Sequence, residues 1–153
     1  MTAKEYLNQY RVARLRIHRY RERIDQISAS LEGSGGRSDG MPRSGAISKP
    51  TETNAVRLAD MRERLERLLI DSEVVRQTIA DEIERVGNPV YQELLYSRYV
   101  KCLDWSGVTL RVSSLRDRPY DESYVRGRLH SSALQEFSKI NLANASECNR
   151  MQH

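Results

Sequence analysis

The segment "YDESYVRGRLHSSALQEF", Tyr120 to Phe137, sets Ser123, Arg126, Gly127 and His130 close together, with Arg116 and Arg118 in the stretch before it. A guanidinium forms charge-assisted, often bidentate hydrogen bonds to phosphate or carboxylate oxygens. A hydroxyl and an imidazole add short polar contacts, and a glycine lets a second surface approach the backbone closely. The chemistry such a group offers is anion binding. It is not a catalytic set, because nothing in it pairs a nucleophile with a base.

The element that positions these residues is a helix from about Asp121 to near Ile140. Val125, Leu129, Ala133 and Phe137 recur every four residues and predict its buried stripe. Arg126, Gly127 and His130 fall off that stripe and are expected to face outward. A shorter helix is expected before it, with Asp104 as cap and Trp105, Val108 and Val112 inward, although Gly107 and Thr109 lower its propensity. The major groove of duplex DNA admits one helix, whose first turns reach base edges while nearby cations hold phosphates, and these two helices fit that geometry. Two features weigh toward a protein target instead. The connection from Val112 to Tyr120, "VSSLRDRPY", exceeds the roughly three or four residues of a tight turn. Asp121 and Glu122 place negative charge at the helix start, which suits the dipole but repels phosphate.

Gly87 and Asn88 followed by Pro89 predict a helix stop and a new start, with Val90, Leu94, Leu95 and Tyr99 at helical spacing. Residues 88–140 are therefore expected to form a small trihelical domain. The remainder, 141–153, "NLANASECNRMQH", has little apolar content and is expected to be a disordered tail.

Upstream, Tyr6, Tyr10, Ala13, Ile17, Tyr20, Ile24, Ile27 and Leu31 alternate steps of four and three, a sustained heptad seam. Arg11, Arg14, Arg16, Arg19, Arg21 and Arg23 fill the positions between. A second seam runs Leu58, Met61, Leu65, Leu68, Ser72, Val75, Ile79 and Val86, with Thr53 or Asn54 as its cap. The stretch 33–52 between them is rich in Gly, Ser and Pro and predicts a flexible loop. The expected architecture is all-α: a long antiparallel coiled-coil hairpin over 1–87, followed by the trihelical domain. Residues 1–33 carry seven Lys and Arg against four acids, and residues 54–87 carry six against eight, so the two long helices should attract. A dimer of hairpins satisfies the same pattern.

Composition narrows the function classes. One Phe and one Trp among 153 residues argue against a large globular core, and eight Tyr suit narrow helix seams. The net charge of +4 permits nucleic-acid binding without requiring it. No apolar run approaches the roughly 20 residues that span a bilayer. Cys102 and Cys148 show neither a disulfide framework nor metal-ligand spacing, and His18, His130 and His153 add none. No metal and no cofactor is expected, and the setting is a reducing, cytoplasmic one. "GSGG" lacks the Lys-Ser/Thr ending of a P-loop and no HExxH occurs, so no enzyme is expected.

"NPVYQELLYSRYVKCLDWSGVTLRV" followed by "YDESYVRGRLHSSALQEF" resembles the C-terminal half of phage-associated proteins that carry a helix-turn-helix similar to region four of bacterial sigma factors, the group of ArpU- and RinA-like late-gene activators. The elements that match are Tyr91 with Leu94 and Leu95, the Arg98-Tyr99 pair, Trp105, and the closing pattern Tyr124-Val125, Leu129-His130 and Ala133-Leu134. "AKEYLNQYR" and the broken long helix also resemble an uncharacterised phage family with the same module. The resemblance is strongest from 88 to 138. It implies that Trp105 and Val108 belong to the first helix of the motif, and that Ser123, Arg126, Gly127 and His130 lie on the DNA-facing side of the second. It implies a phage or prophage transcriptional regulator in a bacterial cytoplasm, bound to double-stranded DNA and in contact with RNA polymerase, with the coiled coil available for self-association. An adaptor or phage assembly protein that binds only protein is the other expectation.

Overall fold

The computed structural model describes the backbone of residues 1–33 and 49–150, and side chains within 1–33 and 52–141. All regular secondary structure in that span is helical. Most of the expected loop over 33–52 lies outside the described residues.

The chain opens with α1, Ala3–Leu7, under a capping box. The Thr2 N–H donates to Glu5 Oε2 at 2.7 Å, and Thr2 Oγ1 accepts from the Glu5 N–H at 3.2 Å. Hydrogen bonds from Thr2, its backbone N–H first and then its side chain, hold the Glu5 carboxyl below its ordinary pKa. Asn8 interrupts what the heptad pattern predicts as one helix, and α2 follows over Gln9–Gly33. α3 spans Lys49–Glu84, starting earlier than a cap at Thr53 or Asn54 would place it. Pro50 tolerates that start, because the first turn has no use for its missing N–H.

The chain divides into two compact units, Ala13–Glu73, and Met1–Val12 together with Val74–His153. In the first, Ile24 of α2 packs with Leu58 and Met61 of α3, flanked by Tyr20, Ile27, Leu31 and Leu65. These are the steps of three and four that the seams predict. Ser72, buried on α3, satisfies its hydroxyl at the Leu69 carbonyl 2.9 Å away.

The second unit gathers one core from distant stretches of sequence. Leu7 of α1, Ile79 and Ile83 near the end of α3, and Val86 just after it join Leu94, Val108, Val125 and Phe137. The boundary expected between 87 and 88 therefore does not coincide with this division, because the residues around Ile83 contribute to the same core as the helices after Pro89. That core begins with α4, Pro89–Leu95, capped by Asn88, whose Oδ1 accepts from the Val90 N–H at 2.9 Å. α4 continues without a break into a π-helical turn, Tyr96–Val100. The chain then reverses through Cys102 at φ 57°. A non-glycine residue in this left-handed region costs about 1–2 kcal/mol. The Leu103 N–H, which reaches back to the Ser97 carbonyl at 3.0 Å, is part of what holds it there.

α5, Trp105–Ser113, starts from Asp104, whose Oδ1 accepts from the Gly107 N–H at 2.8 Å. A Cβ at Gly107 would stand 3.1 Å from that oxygen, so the glycine that weakens the helix also makes room for its cap. After the link, α6 (Glu122–Tyr124), a second π-helical turn (Val125–Leu129) and α7 (His130–Arg150) form one uninterrupted helix. It runs through 141–150, where a disordered tail is expected from composition. Ala143, Ala145 and Glu147 favour helix, and no Gly or Pro stops it.

Candidate functional site

The last helix divides as its spacing predicts along most of its length. Val125, Leu129, Ala133 and Phe137 are buried, and Ser123, Arg126 and Gly127 are exposed. A Cβ at Gly127 would meet nothing within 4 Å, so the fold itself does not require glycine there.

His130 is a correction. Expected on the outer face, it is 7% exposed. Its Nε2 lies 2.8 Å from the Tyr99 hydroxyl, and its ring meets Trp105 edge-on at 4.9 Å between centroids. The cause is the π-helical turn before it. Five positions after Val125, an α-helix would rotate His130 by about 140° from the buried stripe. Hydrogen bonds from i to i+5 turn the chain less per residue and bring the two to a common face. The first π-helical turn does the same for Leu95 and Val100, both buried. The Tyr99–His130 bond thus ties one π-helical turn to the residue that ends the other.

Burial, then the positive charges of Lys4 and Arg98, push the His130 pKa down to about 4. Burial pushes the Tyr99 hydroxyl up to about 12. Both groups are neutral near pH 7, and the pair is a buried hydrogen bond.

The link from Ser114 to Asp121 is pinned at its far end, where the Tyr120 N–H donates to Ser113 Oγ at 2.9 Å. Arg116 stacks over the Tyr120 ring at 4.4 Å, and Tyr120 stacks on Tyr124 with centroids 5.8 Å apart and planes within 11°. The result is a cation on a two-ring ladder whose last ring, Tyr124, is 44% exposed. Arg118 is exposed and lines a surface cavity with Leu115, Arg116 and Asp117. The extra length of the link is what builds this ladder. Arg116, Arg118, Ser123, Arg126 and Gly127 are therefore all on the surface, and of the six expected contacts only His130 is withdrawn.

Sequence reasoning singled out Arg98 only as part of the Arg98-Tyr99 match and foresaw none of its contacts. Its Nη1 donates to the Leu103 carbonyl at 2.9 Å and its guanidinium lies 4.4 Å above the Trp105 ring. Burial lowers its pKa, and the charges of Arg11 and Arg126 lower it further. An Arg separated from an aromatic by the "KCLD" turn is the only sequence trace of this contact. Elsewhere in the unit, Thr2, Tyr6, Glu82, Arg85, Ser138 and Asn141 line a cavity of about 650 Å³. Burial and a hydrogen bond to the Glu82 carboxylate push the Tyr6 hydroxyl up to about 12 there.

Among the described residues no group of three or more His, Cys, Asp or Glu converges to hold a metal ion, and no helix is long and apolar enough to cross a membrane. No family model, curated protein or solved structure matches the chain.

Proposed function

We propose that the chain is a DNA-binding transcriptional regulator of the phage or prophage type its C-terminal half resembles, acting by binding and not by catalysis. The observation that carries this reading is the exposed face of Ser123, Arg126 and Gly127 on a helix anchored from behind by a fully buried stripe. In this reading α5 and the helix from Glu122 act as a helix-turn-helix. The second lies in the major groove, with Arg126 and Ser123 toward the DNA and Gly127 allowing close approach. Arg116 and Arg118 on the link hold flanking phosphates. α2 and α3 act as an antiparallel coiled-coil hairpin for self-association or contact with RNA polymerase, in the cytoplasm of a bacterial host.

The second reading, a helical adaptor or phage assembly protein that binds only protein, draws on the same surface. Asp117, Asp121 and Glu122 are exposed beside the arginines, and Leu110 is 75% and Leu115 50% exposed. Salt separates the two readings. If Arg116, Arg118 and Arg126 each neutralise a phosphate, log K for a duplex should fall against log salt with a slope of about −3. Arg126→Ala should reduce that slope by about 1 and weaken binding while helicity by circular dichroism stays intact. Failure of the protein to bind phage late-promoter duplexes at low salt would leave the adaptor reading.

A further inference from the structure

We infer that the cavity enclosed by α1, the end of α3 and the last helix is a binding site for a small zwitterion of the α-amino-acid class, with Glu82 taking its ammonium and Arg85 its carboxylate. The site stands apart from the DNA-binding surface and does not depend on it. Its volume of about 650 Å³ falls within the roughly 300–1,000 Å³ of ordinary small-molecule pockets. The walls all belong to one compact unit: Ala3 and Tyr6 at the start of the chain, Glu82 and Arg85 where α3 ends and turns, Ser138 and Asn141 on the last helix. Tyr6 packs on Phe137 with ring centroids 6.2 Å apart, and Leu7 and Ile83 are fully buried, so these walls are held against one another by the core.

Glu82 carries the observation that calls for a ligand. Its Oε2 is shielded from solvent and has no hydrogen-bond partner among the described residues. Buried polar atoms are nearly always met by a partner, and an ammonium group offers three N–H donors. The last torsion of a Glu side chain is soft, so a turn of the carboxylate brings that oxygen to the cavity its residue lines. Burial and the same carboxylate hold the Tyr6 hydroxyl protonated, with a pKa of about 12, so Tyr6 brings no charge of its own. Arg85 lies three residues beyond Glu82 and is exposed. Side chains three apart at a helix end have Cβ atoms about 5–6 Å from each other, a separation that one small molecule spans. Half-buried Ser138 and Asn141 add a hydroxyl and an amide, and Ala3 with the Tyr6 ring adds apolar wall. An apolar ligand would leave Oε2 without a donor, and a simple amine would leave Arg85 without an anion. A zwitterion meets both.

The full-length protein is titrated by calorimetry with L-phenylalanine, and then with phenethylamine and hydrocinnamate, which keep the ring but carry only the cation or only the anion. L-Phenylalanine should bind saturably and about 10-fold or more tighter than either analogue, and it should raise the Tm. Glu82→Gln keeps the shape and removes the charge; it should weaken L-phenylalanine about 10-fold or more and leave hydrocinnamate unchanged. Arg85→Gln should weaken L-phenylalanine and hydrocinnamate while sparing phenethylamine. Because Arg85 is exposed, that variant keeps the test decisive even if Glu82→Gln fails to fold by circular dichroism. Wild type giving no saturable heat with L-phenylalanine up to about 10 mM would overturn the site. So would an L-phenylalanine affinity unchanged by Arg85→Gln, or a hydrocinnamate affinity equal to that of L-phenylalanine. Saturable, Glu82-dependent binding of L-phenylalanine in a protein that binds no duplex would keep the site and remove only the DNA reading.

Discussion

At neutral pH the His130 imidazole is uncharged, packed between Tyr99 and Trp105. Its pKa of about 4 in the fold lies below its ordinary value of 6.5, so as the pH falls the unfolded chain takes up the proton first. The stability this residue supports is complete above pH 6.5. It is lost on acidification from there toward pH 4, by at most about 1.4 kcal/mol per pH unit. Urea unfolding at pH 7 and pH 5 should show the decline, and His130→Gln should flatten it; an unaltered slope would assign it to other groups. The burial of His130 was not legible from an α-helical period, which places it outward. The clue lay in spacing, since Val125 and His130 are five apart, as are Leu94 and Tyr99, and Leu95 and Val100.

Two helix starts were legible, while that of α3, expected at Thr53 or Asn54, was not. Asn88 before Pro89 and Asp104 before Trp105 both make the cap bonds their types predict. Capping depends on one side chain and the next few N–H groups, so local sequence decides it. The π-helical turns depend on what packs on either side, and local propensity does not encode that. Gly127 sits inside one of them, exposed and with open space where a Cβ would go. Gly127→Ala should therefore raise stability by about 0.5–1 kcal/mol, seen as a higher Tm. If the open space admits a duplex, the same substitution should weaken DNA binding several-fold. A more stable protein with undiminished affinity would show that the DNA passes elsewhere.

For the whole molecule, the all-α class and the separate seam of Ile24, Leu58 and Met61 followed from periodicity. The composition of the other unit did not, because a heptad pattern shows that Leu7 or Ile83 is covered but not by what. Both are fully buried with Val108 and Phe137. A fragment of residues 88–153, the expected domain with its tail, would lack Leu7, Ile79, Ile83 and Val86. Their burial is worth about 6 kcal/mol or more together, comparable with the entire 5–15 kcal/mol stability of a typical domain. That fragment should show non-cooperative melting and a red-shifted Trp105 emission relative to the full chain; a sharp transition at the full-length Tm would refute this. The Tyr6–Phe137 contact also joins residues far apart along the chain. At about 5–20 residues per second, α1 emerges from the ribosome roughly ten seconds before the helix it packs on has been made. During synthesis its apolar face must wait in solution or with a chaperone, and the unit can close only after Phe137 has been made.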